Sequence, residues 1–313
     1  FTLLDHTTPG SVSLAATYTL AGSGGAGVDF SPNGKYIAVA HSNPSSIYFT
    51  LLDHTTSGSV SLAATYTLPS SGRSCSFSPD GNYIAVGHQN SPHFTLLDHT
   101  TSGSVSFAAS YSLPNSGEGV SFSPNGNYIA AAHGGSPYFT LLDHTTPGSV
   151  SLAATYTLSG SGNGVAFGPN NDYIAVAHQN APGFTLLDHT TPGSVSLAAT
   201  YSISPSIFNS GASRSASFSP DGSYIAVGQQ GAPYFILLDH TTPGSVSLAA
   251  TYTLPSGGTG NDVAFSPDGS YIAVGHDVSP HFTLLDHTTP GSVSLATTYT
   301  LSGTGRGVAF SPN

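Results

Sequence analysis

The stretch Ser76–His88, SFSPDGNYIAVGH, followed by Phe94–His99, FTLLDH, decides the fold. It holds three short runs rich in Val, Ile, Tyr, Phe and Thr, separated by Ser-Pro-Asp-Gly and by Gln-Asn-Ser-Pro. In the first separator Pro presets φ near −65° and Gly accepts a positive φ, so the chain reverses there. A fourth run, SVSFAASYSL at Ser104–Leu113, follows a Thr-Ser-Gly turn. None of the four carries an apolar stripe of period 3.6, and all read as strands.

The unit recurs along the whole chain. LLDHTT occurs seven times, its Asp at Asp5, Asp53, Asp98, Asp143, Asp188, Asp239 and Asp286, with spacings of 48, 45, 45, 45, 51 and 47 residues. Phe before Ser-Pro or Gly-Pro also occurs seven times, at Phe30, Phe77, Phe122, Phe167, Phe218, Phe265 and Phe310. YIAV or YIAA occurs only six times, beginning at Tyr36, Tyr83, Tyr128, Tyr173, Tyr224 and Tyr271. Repeats of this length built from four strands (a to d in chain order) predict propeller blades, whose radial closure protects strand edges. The expected fold is all-β, a seven-bladed β-propeller of four-stranded antiparallel blades with one strand missing at the seam. It forms one domain over residues 1–313, blade seven being shared between residues 1–20 and 307–313. The spacing from Phe77 to Phe94 puts the shortfall at about 13 residues between Asn313 and Phe1. These residues are expected to exist in the natural protein outside this sequence, or to be replaced by a strand from a partner.

Composition narrows the partners. Only 6% of the residues are charged, Lys and Arg together number four, and the formal charge is −11. Phosphate backbones require many cations, so no nucleic acid is expected; no apolar run is long enough for membrane insertion. The single cysteine, Cys75, stands where other copies have Val, and is expected to be buried and inert. Twelve of the fourteen His recur once per unit, in the Asp-His pairs or at the end of strand b. Such a ring of scattered side chains suits hydrogen bonding between strands better than shared metal ligation. Asp29, Asp262, Asp277 and Glu118 read as single acids rather than a two-carboxylate site. No metal, cofactor or catalytic residue is expected.

The runs quoted above resemble the blades of WD-repeat-like propellers, the Asp of each LLDH matching the Asp of that family's Trp-Asp pair. Trp is absent and Leu stands in its place, so the family's His-centred hydrogen-bond network does not carry over whole. The variant at Ser123–Leu142, SPNGNYIAAAHGGSPYFTLL, is similar to repeats of tailed-phage virion proteins. That resemblance implies a virion or extracellular cell-surface location.

Differences between the copies point to one face. The a–b and c–d turns barely change, whereas the b–c and d–a loops vary and lie at the same end of an up-and-down blade. Binding residues favour such loops. Four residues before each strand-a Phe stand Ala26, Arg73, Glu118, Asn163, Arg214, Asn261 and Arg306. As strand a is innermost, these are expected to ring the mouth of a central channel. Before strand c stand Tyr48, His93, Tyr138, Gly183, Tyr234 and His281, and the long loop of unit five adds Ile207 and Phe208. Aromatic rings beside amides and guanidinium groups suit stacking on sugars. The expected function is non-enzymatic: a structural or binding propeller attached to other virion or surface proteins, or to a host glycan or receptor. The alternative is a secreted enzyme resembling lactonase-type propellers, with Glu118 and the three Arg at the channel mouth.

Overall fold

The computed structural model describes residues 1–22, 24–42, 47–203 and 212–312. These contain six four-stranded antiparallel sheets, each in the order a-b-c-d, and one two-stranded sheet. Blade one comprises Gly25–Phe30, Tyr36–His41, Phe49–Asp53 and Ser61–Tyr66; blades two to six repeat it over residues 72–112, 117–157, 162–202, 213–253 and 260–300. The propeller fold of four-stranded antiparallel blades is therefore present.

The expected count of seven blades is corrected to six complete ones. The two-stranded sheet pairs β1 (Thr2–Asp5) with β2 (Ser13–Thr17), in the manner of strands c and d. Residues 305–310 run where a seventh strand a would lie but join no ladder. Among the described residues no strand b lies between them and β1, so neither gains a partner on that side. The ring nevertheless closes. Gly305 N donates to His276 O at 3.0 Å on blade six, and a Cβ on Gly307 would lie 3.1 Å from Ala26 O on blade one.

Turn chemistry holds strand a to strand b. In blade two Ser78 Oγ donates to Asp80 Oδ1 at 2.5 Å and accepts Tyr83 N at 2.9 Å, while Gly81 sits at φ 74°. Strand b has no outward face. All six residues of Tyr83–His88 are buried because each blade is sandwiched between two others. Alternate residues enter different inter-blade cores: Ala38 and Ala40 of blade one pack with Ile84 and Val86 of blade two. Small residues thus receive large ones, and burying each Ile or Leu stabilises by about 1.5–3 kcal/mol.

A second lattice binds blades at the turn face. His144 Nδ1 donates to Gly126 O at 2.9 Å, and its ring stands edge-on to Tyr83 of the preceding blade at 5.0 Å and to Phe122 at 5.4 Å. The arrangement recurs at His99, His189, His240 and His287. The Asp of each Asp-His pair instead forms an exposed turn; Asp143 Oδ1 accepts both Thr145 N and Thr145 Oγ1. At the end of strand b, His88 Nε2 meets Thr95 Oγ1 at 3.0 Å, and the same pair forms in blades one, three, four and six. Blade five has Gln229 for His and Ile236 for Thr, so both halves of the pair changed together. The strand-bonding role expected for the His is what these contacts show.

Candidate functional site

Strand a is the inner edge of its blade, so one row of its N–H groups has no strand to pair with. An unpaired buried N–H is costly, and side chains of the preceding blade supply acceptors. Ser76 Oγ accepts Phe122 N at 3.2 Å, Ser121 Oγ accepts Phe167 N, and Ser217 Oγ accepts Phe265 N, both at 3.4 Å. In blade one the same position is Asp29, whose Oδ2 accepts Phe77 N at 2.7 Å. Two residues earlier along strand a, Asp262 accepts Val308 N at 2.8 Å and the Ser215 hydroxyl at 2.5 Å. A carboxylate makes a stronger acceptor than a hydroxyl but resists burial of its charge. Burial in the channel wall pushes the Asp29 carboxyl up to about 7 and that of Asp262 up to about 6, against the opposing pull of their N–H donors. Asp262 adds repulsion that raises Asp29 further. Both acids, read from the sequence as singles rather than a two-carboxylate site, line one cavity.

That cavity is the central channel, about 380 Å³, walled by strand a of the six blades and by residues 306–310. Arg73, Glu118, Asn163, Arg214, Asn261 and Arg306 all line it, as their position before the strand-a Phe predicts. Arg73 Nε lies 3.9 Å from Glu118 Oε2, while Ser116 Oγ donates to Glu118 Oε1 at 2.7 Å. Arg214 donates from a terminal nitrogen to Gln230 Oε1 at 3.2 Å. Asn163 and Asn261 donate to Ser213 O at 2.6 Å and Gly305 O at 2.9 Å, tying neighbouring sectors together. The Nε atoms of Arg73 and Arg214 are buried without a hydrogen-bond partner among the described residues. Three of the chain's four basic residues therefore gather around this cavity, two of them, Arg73 and Arg214, with a buried Nε that makes no hydrogen bond among the described residues.

The second predicted ring abuts the first. The carbonyl oxygens of His93, Tyr138, Tyr234 and His281 press on the first residue of the next strand a; a Cβ on Gly117 would come within 2.5 Å of His93 O. These four residues hold φ values of 73–74°, a region that costs a non-glycine residue roughly 1–3 kcal/mol. Blade four places Gly183 there at φ 85°. All four side chains are half-buried, as is Tyr48 in blade one. Ile207 and Phe208 lie outside the described residues. Cys75 is buried against Ala38 O, and burial pushes its thiol well above the ordinary range. Among the described residues no three His, Cys, Asp or Glu gather as a metal-ligand group, and no helix is long and apolar enough to cross a membrane.

No family model and no curated protein matches the chain. Solved structures do. A putative 6-phosphogluconolactonase from Bacteroides uniformis superposes with a TM-score of 0.76 at 13% identity, covering 89% of this chain and 85% of that one. The periplasmic gluconolactonase PpgL of Pseudomonas aeruginosa gives 0.77 at 16%, covering 96% and 90%. The β-propeller domain of Myceliophteria thermophila Cps50 (Swd1) gives 0.71 at 16%, covering 92% and 90%. At such identities the likeness is one of fold. The expectation that the chain is no enzyme is corrected to this extent: two of these three propellers are described as lactonases, so the fold hosts such enzymes, and the recurrence of twelve His around the ring was no ground for excluding catalysis.

Proposed function

We propose that the channel mouth opens a small sugar lactone bearing an anionic group. The observation that carries this reading is the meeting, in one cavity, of Arg73 and Arg214, whose buried Nε atoms make no hydrogen bond among the described residues, and of a carboxyl pushed up to about 7. Arg73, Arg214 and Arg306 supply the positive field for a carboxylate or phosphate, and fork-shaped guanidinium groups suit such anions. Asp29, half ionised near pH 7, is matched to general-base work at that pH. It takes a proton from the attacking water as that water adds to the lactone carbonyl. The ring ester C–O bond then breaks, the proton passes to the departing ring oxygen, and a hydroxy acid results. Arginine donors stabilise the negative oxygen formed on the way. Similarity to two lactonase propellers supports the same reading.

The test is a pH-stat assay of phosphorylated gluconolactone, gluconolactone and a neutral small lactone. The proposal predicts opening above the buffer rate, fastest for the anionic substrate, with Arg214→Ala raising KM about tenfold or more. Failure to open any of the three contradicts it. The ring of Tyr and His in left-handed backbone favours a second reading, in which the same mouth holds a sugar on a virion or cell surface without turning it over. A glycan array that finds binding in the absence of lactone turnover selects that reading.

A further inference from the structure

The seam is the one sector whose inner and outer parts are both built but not joined. In the six blades, strand c offers its second Leu to the Ile of strand b: Leu52 faces Ile37, Leu97 faces Ile84, and Leu142 faces Ile129. That Leu is 0% exposed in every blade, but its counterpart Leu4 on β1 is half-buried. On the other side Phe310, the counterpart of Phe77 and Phe122, is half-buried as well, as is Val308, where Cys75, Val120 and Val263 are buried. His6 shows the same gap in its polar contacts. The equivalent His of the blades donates to a carbonyl of the a–b turn, whereas His6 Nδ1 turns to Ser11 O at 2.8 Å. Its aromatic contacts are intact, with Tyr271 at 4.7 Å and Phe310 at 6.0 Å. Every seam residue that departs from its blade counterpart therefore faces one strand-wide slot.

We propose that this slot accepts, from outside residues 1–313, one strand of the type Tyr-Ile-Ala-Val-(Ala or Gly)-His, running antiparallel to β1 and to residues 305–310. Six internal copies define the occupant. The register follows from theirs: Ile between Phe310 and Leu4, the first Ala between Ala309 and Leu3, Val between Val308 and Thr2, and His opposite Gly305. Large residues at these two positions are excluded, because the first is a buried Ala in every blade and the second is a buried Ala or a Gly, packed against the next blade. Main-chain pairing on both edges provides affinity, and the alternating small and large side chains provide specificity.

The test uses the purified 313-residue chain and a fluorescent peptide copying residues 80–90, DGNYIAVGHQN. Saturable one-to-one binding by polarisation is expected, with a rise in Tm of several degrees, and the peptide with Ala85→Glu is expected to bind at least tenfold more weakly. A chain extended before Phe1 by residues 80–93 is expected to gain the same thermal stability and to lose the binding of added peptide. Absence of peptide binding by the folded 313-residue chain overturns the proposal, as does equal binding of the Ala85→Glu peptide. Concentration-dependent dimers that the peptide does not dissociate also overturn it, since a second copy then fills the slot.

Discussion

The two faces of the ring differ in how far their copies agree. On the turn face blades two to six repeat the same bonds: an Asp-Thr turn, a His donating to a turn carbonyl, and a Tyr from the preceding blade edge-on to that His. Toward the loop face five blades still share the His–Thr pair, but at the channel mouth side chains diverge into Arg, Glu, Asn and Ala. The difference teaches where each burden sits. Identical contacts close the ring and hold register; divergent residues on the same scaffold are free to make a chemical site. If this separation holds, changes in the mouth alter turnover without unfolding, and changes on the turn face do the reverse.

The largest expected effect is in the channel. Asp29→Ser, which restores the residue of blades two, three and five, keeps an acceptor for Phe77 N but removes the base. Lactone turnover is expected to fall by about 100-fold or more. Stability moves the other way. The folded-state pKa of Asp29 is raised, so the folded protein holds its proton more tightly than the unfolded one, and stability declines as pH rises from about 4 to about 7. At pH 8 the variant should be more stable by about 2–4 kcal/mol. That gain should shrink through pH 7 and vanish near pH 4, as denaturant titration across pH will show.

On the turn face, His144→Ala loses the bond to Gly126 O and two edge-on ring contacts, and leaves a cavity between blades. A loss of about 2–3 kcal/mol is expected in chemical denaturation, with kcat and KM unchanged in the surviving folded fraction. A comparable drop in kcat would break the separation of the faces.

A smaller effect concerns acid. Burial pushes His88 and His133 down to about 4 and lowers His41, His178 and His276. The unfolded chain then binds more protons between pH 6.5 and about 4, and these groups cost stability as pH falls through that window. The raised carboxyls of Asp29 and Asp262 act oppositely over much of the same range. Transplanting blade five's pair into blade two (His88→Gln with Thr95→Ile) should move the acid-unfolding midpoint to lower pH. At pH 7.5 the change should be within about 1 kcal/mol. The smallest effect is Tyr138→Gly, which relieves a left-handed φ and should raise stability by about 1 kcal/mol while raising KM a few-fold.

The blades, their strand order and the common side of the variable loops were legible in the sequence, because turn residues and a period near 45 act locally. The ring of residues four places before each strand-a Phe was legible for the same reason, and all of its charged and amide members line the channel. The roles of Asp29 and Asp262 were not. Their partners, Phe77 N and Val308 N, come from the next sector 48 and 46 residues away, and only ring packing brings them together. The alternation of Asp, Ser and Ala at the position of Asp29 was the available signal. The seven-blade count failed where one strand b is absent, since a marker can recur without the ladder that makes a blade. The paired change at Gln229 and Ile236 was also readable, as it alters both members of the His–Thr contact in a single copy.

The most direct measurement is the pH–rate profile of lactone opening by the wild-type chain and by Asp29→Ser. The account predicts a rise in wild-type turnover with an inflection near pH 7 that is missing in the variant. Identical profiles for the two proteins, or a wild-type rate no greater than that of buffer, would contradict it.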